Sequence, residues 1–252
     1  MLKKRIIPTL LISDEKLVKT KKFKNASYVG DPINVVKIFN EKEVDELIIL
    51  DIKSSITKNI NFELIEKIAG ECRMPFAYGG GINCIEHAEK LFSIGVEKIV
   101  LNNSAIKNPS FINDLSTKFG SQSVVISLNI KKDLFGRYKI YDWINDISHS
   151  PQIKNFINDI IKRGAGELLI SYVDNDGLLN GFDCNLYNKL DIEPPIPIVI
   201  NGGINSIENI KEIFTKTNID AVSIGSFFIY YGPHKAVLIS YINKEEKNYI
   251  HG

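Results

Sequence analysis

Gly79-Gly80-Gly81 and Gly202-Gly203 each stand between a short apolar run and a segment with helical spacing. Glycines in such a turn let backbone N–H groups close on an anion, and the N-terminus of the following helix adds favourable partial charge. A single Gly-Gly reads first as a tight strand-to-helix turn. Two are harder to dismiss, because Pro75-Phe-Ala-Tyr-Gly-Gly-Gly-Ile-Asn-Cys-Ile-Glu86 aligns with Pro197-Ile-Val-Ile-Asn-Gly-Gly-Ile-Asn-Ser-Ile-Glu208 at an offset of 122 residues, nearly half the chain. In each half the next apolar run also ends in small polar groups, Asn102-Asn103-Ser104 in the first and Gly225-Ser226 in the second. Two such sites facing across one mouth predict an elongated ligand with a phosphate at each end.

Other chemistries find little support. His87, His149, His234 and His251 show no metal-ligand spacing, and Cys72, Cys84 and Cys184 form no C-x-x-C pair. There is no Ser-His-Asp order and no nucleophile elbow, so neither a metal nor a cofactor is expected. Lys and Arg number 31 against 30 Asp and Glu, a formal charge of +1. That balance gives no basic field for nucleic acid or an anionic membrane surface. The basic start, Met1 to Ser13, resembles a signal peptide, but its apolar stretch is short, contains Pro8 and runs into Asp14-Glu15-Lys16. No window reaches the roughly eighteen apolar residues of a membrane span. With three scattered cysteines, a soluble cytoplasmic protein is expected.

The elements that must position these groups alternate regularly. Short apolar, β-branched runs predict strands at Arg5 to Ile12, Glu46 to Asp51, Pro75 to Tyr78, Lys98 to Leu101, Ser123 to Asn129, Glu167 to Tyr172, Pro197 to Asn201 and Ala221 to Gly225. Apolar residues at i, i+3, i+4 predict helices at Pro32 to Lys42, Phe62 to Glu71, Cys84 to Ser93, Ser110 to Phe119, Ile153 to Arg163 and Ser206 to Thr215. Alternating strands and helices imply parallel pairing, and eight units in this length predict an α/β fold of the (β/α)8 TIM-barrel type, with an open doubly wound sheet as the alternative. The repeat makes it one domain, 1–252, built from half-barrels at about 1–120 and 121–245, since either half alone would leave open sheet edges. Trp143, in the polar stretch Tyr138 to Ser150, is expected to cover a barrel edge.

Arg5-Ile-Ile, Gly30-Asp31-Pro32, Asp45-Glu46-Leu47 running to Leu50-Asp51-Ile52, Gly79-Gly-Gly-Ile82, Phe119-Gly-Ser-Gln122 and Arg163-Gly-Ala-Gly-Glu167 resemble the HisF family, the cyclase subunit of imidazole glycerol phosphate synthase. The resemblance covers essentially the whole chain. Within the family, Leu17-Val-Lys-Thr20, Tyr28-Val-Gly-Asp-Pro-Ile-Asn34, Phe39 to Glu46 and Gly232-Pro-His-Lys-Ala-Val-Leu-Ile-Ser-Tyr241 look more like the WbuZ-type branch, which accompanies amidino-sugar synthesis for bacterial surface polysaccharides. The resemblance implies two jobs. Ammonia is received from a HisH-type glutaminase docked at the N-terminal face, and a bisphosphorylated ribulosyl substrate is cleaved and cyclised at the opposite face.

For cyclisation the family uses two aspartates, ending strands 1 and 5, as general acid and base. The matching positions here hold Leu11 and Asn129. Neither can exchange a proton usefully, and one positioned acid or base is worth about 10²- to 10⁴-fold in rate. Asp51, Asp174 and Asp176, with Lys19 on the first loop, are the groups that could substitute; the carboxylates read equally well as turn or cap residues. The resemblance places Asp176 with Gly177, Gly202, Gly203, Gly225 and Ser226 at one phosphate site, opposite Gly80, Gly81, Asn102 and Asn103. It also implies a four-charge ammonia gate at the barrel floor, matched by Arg5, Glu46, Lys98 and Glu167. Each opens an apolar strand, where two positive and two negative charges can pair, although bare salt-bridge capping of the floor would read the same.

Three functions compete on these residues. The first is a partner-dependent subunit that passes ammonia to a sugar amidotransferase with its cyclase chemistry lost. The second is a working cyclase of histidine biosynthesis with an unorthodox acid–base pair. A sugar-phosphate isomerase of the sister HisA type is third, and Leu11 and Asn129 argue against it too.

Overall fold

The structure is a computed structural model and describes residues 4–149 and 152–252. Met1 to Lys3 of the basic start, and Ser150 at the end of the polar stretch, lie outside the described residues. Eight strands form the ring: β1 (Arg5–Ser13), β2 (Leu47–Asp51), β3 (Phe76–Gly79), β4 (Lys98–Leu101), β5 (Val124–Lys132), β6 (Glu167–Tyr172), β7 (Ile198–Asn201) and β8 (Ala221–Ile224). Each pairs in parallel with the next, and β8 pairs with β1 through Ala221 and Arg5. That closure makes the (β/α)8 barrel and excludes the open sheet.

Both faces of these strands are buried, which is why their sequences read as continuous apolar runs. Outward-facing Ile6, Leu10, Leu47 and Ile49 join the core beneath the helices. Inward-facing Ile7, Ile48, Ala77, Val100, Val125, Leu169, Val199 and Ala221 form a separate apolar ring inside the barrel. The period of two puts Thr9, Ser127, Ser171, Asn201 and Ser223 on the same inward faces one step nearer the strand C-termini.

The helices lie close to expectation. Pro32–Glu41 begins behind an Asp31 cap that accepts from the Asn34 N–H, has Pro at its first turn, and buries Val35, Val36 and Phe39. Phe62–Glu71 and Ser110–Phe119 match, Pro32–Glu41, Ile85–Ser93 and Ile153–Lys162 each differ by one residue at one end, and Ile207–Lys216 is shifted by one residue along the chain. Three hairpins were not anticipated, one of them Tyr230–Tyr231 paired with Ala236–Val237 after β8. Lys16–Lys21 and Lys24–Gly30 extend β1, while Tyr138–Asp142 and Ile147–His149 extend β5, all antiparallel. These extensions overhang the barrel's C-terminal mouth. Short helices at Ile52–Thr57, Asn103–Lys107, Cys184–Asn188 and Ser226–Ile229, and a terminal helix Lys244–His251, complete the chain. No helix among the described residues is long and apolar enough to cross a membrane.

Candidate functional site

At the floor, the four expected charges meet. Arg5 donates to Glu46 Oε2 at 2.5 Å and to Glu167 Oε1, and Lys98 Nζ donates to Glu46 Oε1 at 2.8 Å and Glu167 Oε2 at 2.9 Å. The result is a closed ring of alternating sign in which every carboxylate oxygen is used. Burial works against the Arg5 charge, but the pull of Glu167 and Glu46 outweighs it and raises the guanidinium pKa. Outside the ring, Asp45, Gln122, Pro197 and Asp220 line a mixed depression that opens on Arg5, Lys98 and Glu167.

At the mouth, two adjoining cavities share Leu11, Thr20, Asp176 and Asn201 in their walls. The larger, about 130 Å³, reaches down between β2, β4, β5 and β6 to Leu50, Val100, Ser127 and Ser171. Gly80, Gly81, Asn102, Asn103, Ser104, Ser55 and Lys58 line it at one end. Gly177, Gly202, Gly203, Gly225, Ser226 and Lys19 line the smaller cavity.

The glycines are where the repeat becomes geometry. Gly80 has φ +137°, and a Cβ there would lie 2.4 Å from the carbonyl oxygen of Asp51, the last residue of β2. Gly202 has φ +114°, and its Cβ would lie 2.6 Å from the carbonyl oxygen of Tyr172, the last residue of β6. Both halves therefore need glycine at this position for the same two reasons, conformation and space. The short helices Asn103–Lys107 and Ser226–Ile229, starting after β4 and β8, carry no side-chain cap. Asn102, which could cap the first of them, donates to Ser127 O at 2.6 Å instead.

Proton-exchanging groups fall into two kinds. Asp51 is an N-cap: its carboxylate accepts from Ser54 N at 2.8 Å and Ser54 Oγ at 2.7 Å. Burial pushes its pKa up against those bonds, but it lines neither cavity. Asp174 accepts from the Lys132 N–H at 2.9 Å and likewise serves the loop. Lys19 and Asp176 face the cavities. The Lys19 amine, buried, donates to Thr9 O at 2.8 Å. Its pKa is held down to about 8 by loss of solvation, partly offset by Asp176. Asp176 is shifted upward by burial, opposed by Lys19 and by the Thr20 hydroxyl.

Leu11 and Asn129 occupy the cavity wall at the ends of β1 and β5, with the Asn129 amide 3.4 Å from Asn102 Oδ1. No carboxylate stands at either place. Trp143 corrects an expectation: the hairpin that extends β5 turns it over the mouth, where with Phe23 it lines the larger cavity rather than covering an outer edge. Sequence alone gave it no signal, because its position depends on that hairpin. Asp142, also unforeseen, ties the hairpin down by accepting from Asn103 Nδ2 at 2.8 Å and Asn145 Nδ2 at 2.7 Å. His87 packs edge-on against Phe62 and His234 lies exposed in a surface turn. No His, Cys, Asp and Glu cluster able to hold a metal occurs among the described residues.

Fold and site together define a (β/α)8 barrel with an ion-paired floor and twin glycine-lined cradles at its mouth. Comparison with known proteins is consistent with that class. The family of histidine biosynthesis proteins matches residues 5–235. A Pseudomonas aeruginosa protein provisionally named imidazole glycerol phosphate synthase subunit hisF2 is 45% identical over 97% of this chain and 98% of its own length. A Leptospira interrogans protein provisionally named as that synthase's subunit HisF is 44% identical over 98% of each chain. The imidazole glycerol phosphate synthase subunit HisF of Streptococcus sanguinis is 34% identical over 91% of this chain and 92% of its own. The chain belongs to the HisF family.

Proposed function

We propose that this barrel is the synthase-side subunit of a cytoplasmic glutamine amidotransferase complex, docking a HisH-type glutaminase at its floor and conducting ammonia to the mouth for amidation of a sugar. The observation that carries the proposal is the contrast between the two ends. Four charges at the floor are closed into one ring, whereas the mouth has Leu11 and Asn129 where proton transfer would need carboxylates. The ring's members are neutralised pairwise, so a small uncharged molecule passing between them meets no net charge, and the apolar ring above favours ammonia over ammonium.

A phosphorylated ligand fits the two cradles chemically. The glycine turns and the first residues of the short helices line both cavities, and Lys19 and Lys58 in their walls supply positive charge. The ligand would therefore bind without being turned over, its phosphates held and its centre lying against Leu11, Asn129 and Trp143. Surface-polysaccharide synthesis is the setting that the WbuZ-like segments of the sequence favour.

The competing reading is a working cyclase of histidine biosynthesis, converting phosphoribulosyl-formimino-AICAR phosphate and ammonia to imidazole glycerol phosphate and AICAR. Lys19 and Asp176 favour it, since both face the cavities with pKa values displaced toward neutrality. The test is turnover of the bisphosphorylated cyclase substrate with an ammonium salt replacing glutamine, for the natural chain and for a Leu11→Asp, Asn129→Asp double variant. No turnover by the natural chain, with activity appearing in the variant, is expected. Turnover by the natural chain would establish the cyclase and make Lys19 and Asp176 the next residues to replace.

A further inference from the structure

Resting on the ammonia-delivery reading, we infer that the rim of the barrel mouth is a docking surface for an acidic protein, the enzyme that takes the ammonia. Nine large apolar side chains are exposed among the described residues, and five of them, Tyr28, Ile56, Leu134, Phe135 and Ile147, sit on segments that follow β1, β2 and β5 at the mouth. The other four, Tyr231, Val237, Leu238 and Tyr249, lie along the C-terminal segment.

The most prominent pair is at the tip of the β5 hairpin, where Leu134 is fully exposed and Phe135 is 82% exposed. A solvated turn has no need of such residues, and isolated exposed apolar side chains carry no meaning, but a concentration around one opening does. The tip is also held in shape. Asp133 accepts from the Phe135 N–H, the Arg137 N–H and Arg137 Nε, each at 2.9 Å, and the Arg137 guanidinium lies 5.1 Å from the Phe135 ring centroid. A braced tip that presents Leu and Phe loses little entropy on docking.

Charge identifies the kind of partner. The segments that follow β1, β2 and β5 at the mouth, residues 14–30, 52–61 and 131–149, carry 11 Lys and Arg against 5 Asp and Glu. Lys21, Lys22, Lys132 and Lys139 have no carboxylate within 4.0 Å among the described residues. The rim thus offers net positive charge around apolar anchors, on a molecule whose formal charge is only +1. The complementary surface is acidic with an apolar pocket for Leu134 and Phe135. Its position over the cavities supplies the purpose, because ammonia released into neutral water would be protonated and lost as a nucleophile.

The experiment uses the natural chain in complex with its glutaminase and the purified sugar amidotransferase. Binding is read by calorimetry, and glutamine-dependent amidation is followed alongside amidation driven by an ammonium salt. A Leu134→Ser, Phe135→Ser variant and a separate Lys21→Glu, Lys132→Glu variant are each expected to weaken amidotransferase binding at least tenfold. Both should lower glutamine-dependent amidation, and leave glutaminase binding and ammonium-driven amidation unchanged. Binding and glutamine-dependent amidation within twofold of the natural chain in both variants would overturn the docking surface while leaving ammonia delivery standing. Failure of the natural complex to pass glutamine nitrogen to the sugar would instead sink ammonia delivery, and the docking surface with it.

Discussion

Leu11 and Asn129 weigh most at the scale of single residues, because their chemistry is limited by what they are rather than by how they are placed. Both were visible in the sequence once the positions were known, and the structure adds that both face the cavity. Lys19 makes a second prediction. Its folded pKa of about 8 lies below the ordinary 10.5, so between those values the unfolded chain binds more protons, and stability contributed at this site rises with pH across that window. Comparing urea unfolding of the natural chain with Lys19→Met from pH 7 to pH 10 isolates the effect. The natural chain should gain on the variant by up to about 3 kcal/mol across the window, and a flat difference would mean that the amine is better solvated than its burial implies. Trp143 is the only tryptophan in the chain, so its emission reports the cavity alone. Titration with a bisphosphorylated sugar should quench or shift it, and an unchanged spectrum with binding confirmed by calorimetry would place the ligand elsewhere.

Among the elements, the regular ones were legible and the decorations were not. Strands such as Lys98–Leu101 and Glu167–Tyr172 matched because burial on both faces forces apolar runs, and helices matched because one stripe must be apolar. Lys24–Gly30 is not legible in the sequence because its residues before Val29 are all exposed and show no apolar alternation. It is a strand only because Lys16–Lys21 offers it hydrogen bonds. The helix Ile52–Thr57 is too short for periodicity, and Asp51, a favoured N-cap residue type directly before it, is the one signal that marks its start. Of the two readings the sequence allows Asp51, acid–base group or cap, the structure shows it as the cap. The glycine turns were legible through the repeat. Gly202→Ala should therefore destabilise by about 1–3 kcal/mol more than Gly232→Ala. Both have positive φ, but only the first Cβ meets a backbone carbonyl, 2.6 Å away, while nothing lies within 4 Å of the second. Equal costs in denaturant melts would show that the close approach relaxes freely.

For the whole molecule, the barrel interior between the floor ring and the mouth changes character along its length, from ion pairs through packed aliphatic side chains to hydroxyls and amides. A (β/α)8 barrel ordinarily packs such a core and works only at its C-terminal face. Here the N-terminal face is built as carefully. If the ring acts as one unit, Lys98→Met alone leaves two carboxylates sharing one guanidinium and should cost about 1–3 kcal/mol. Adding Glu167→Gln removes the surplus charge and should recover part of that loss. A double-mutant cycle by thermal melts measures the coupling, and strict additivity would reduce the ring to independent surface pairs.

Passage of ammonia from floor to mouth is tested most directly by supplying the complex of this chain, its glutaminase and the sugar amidotransferase with glutamine labelled with ¹⁵N at the amide, in a bath of unlabelled ammonium. The account predicts that the new nitrogen in the amidinated sugar is predominantly ¹⁵N, and that Lys98→Met shifts it toward the bath. A product carrying ¹⁵N only in the proportion of the bath would contradict it.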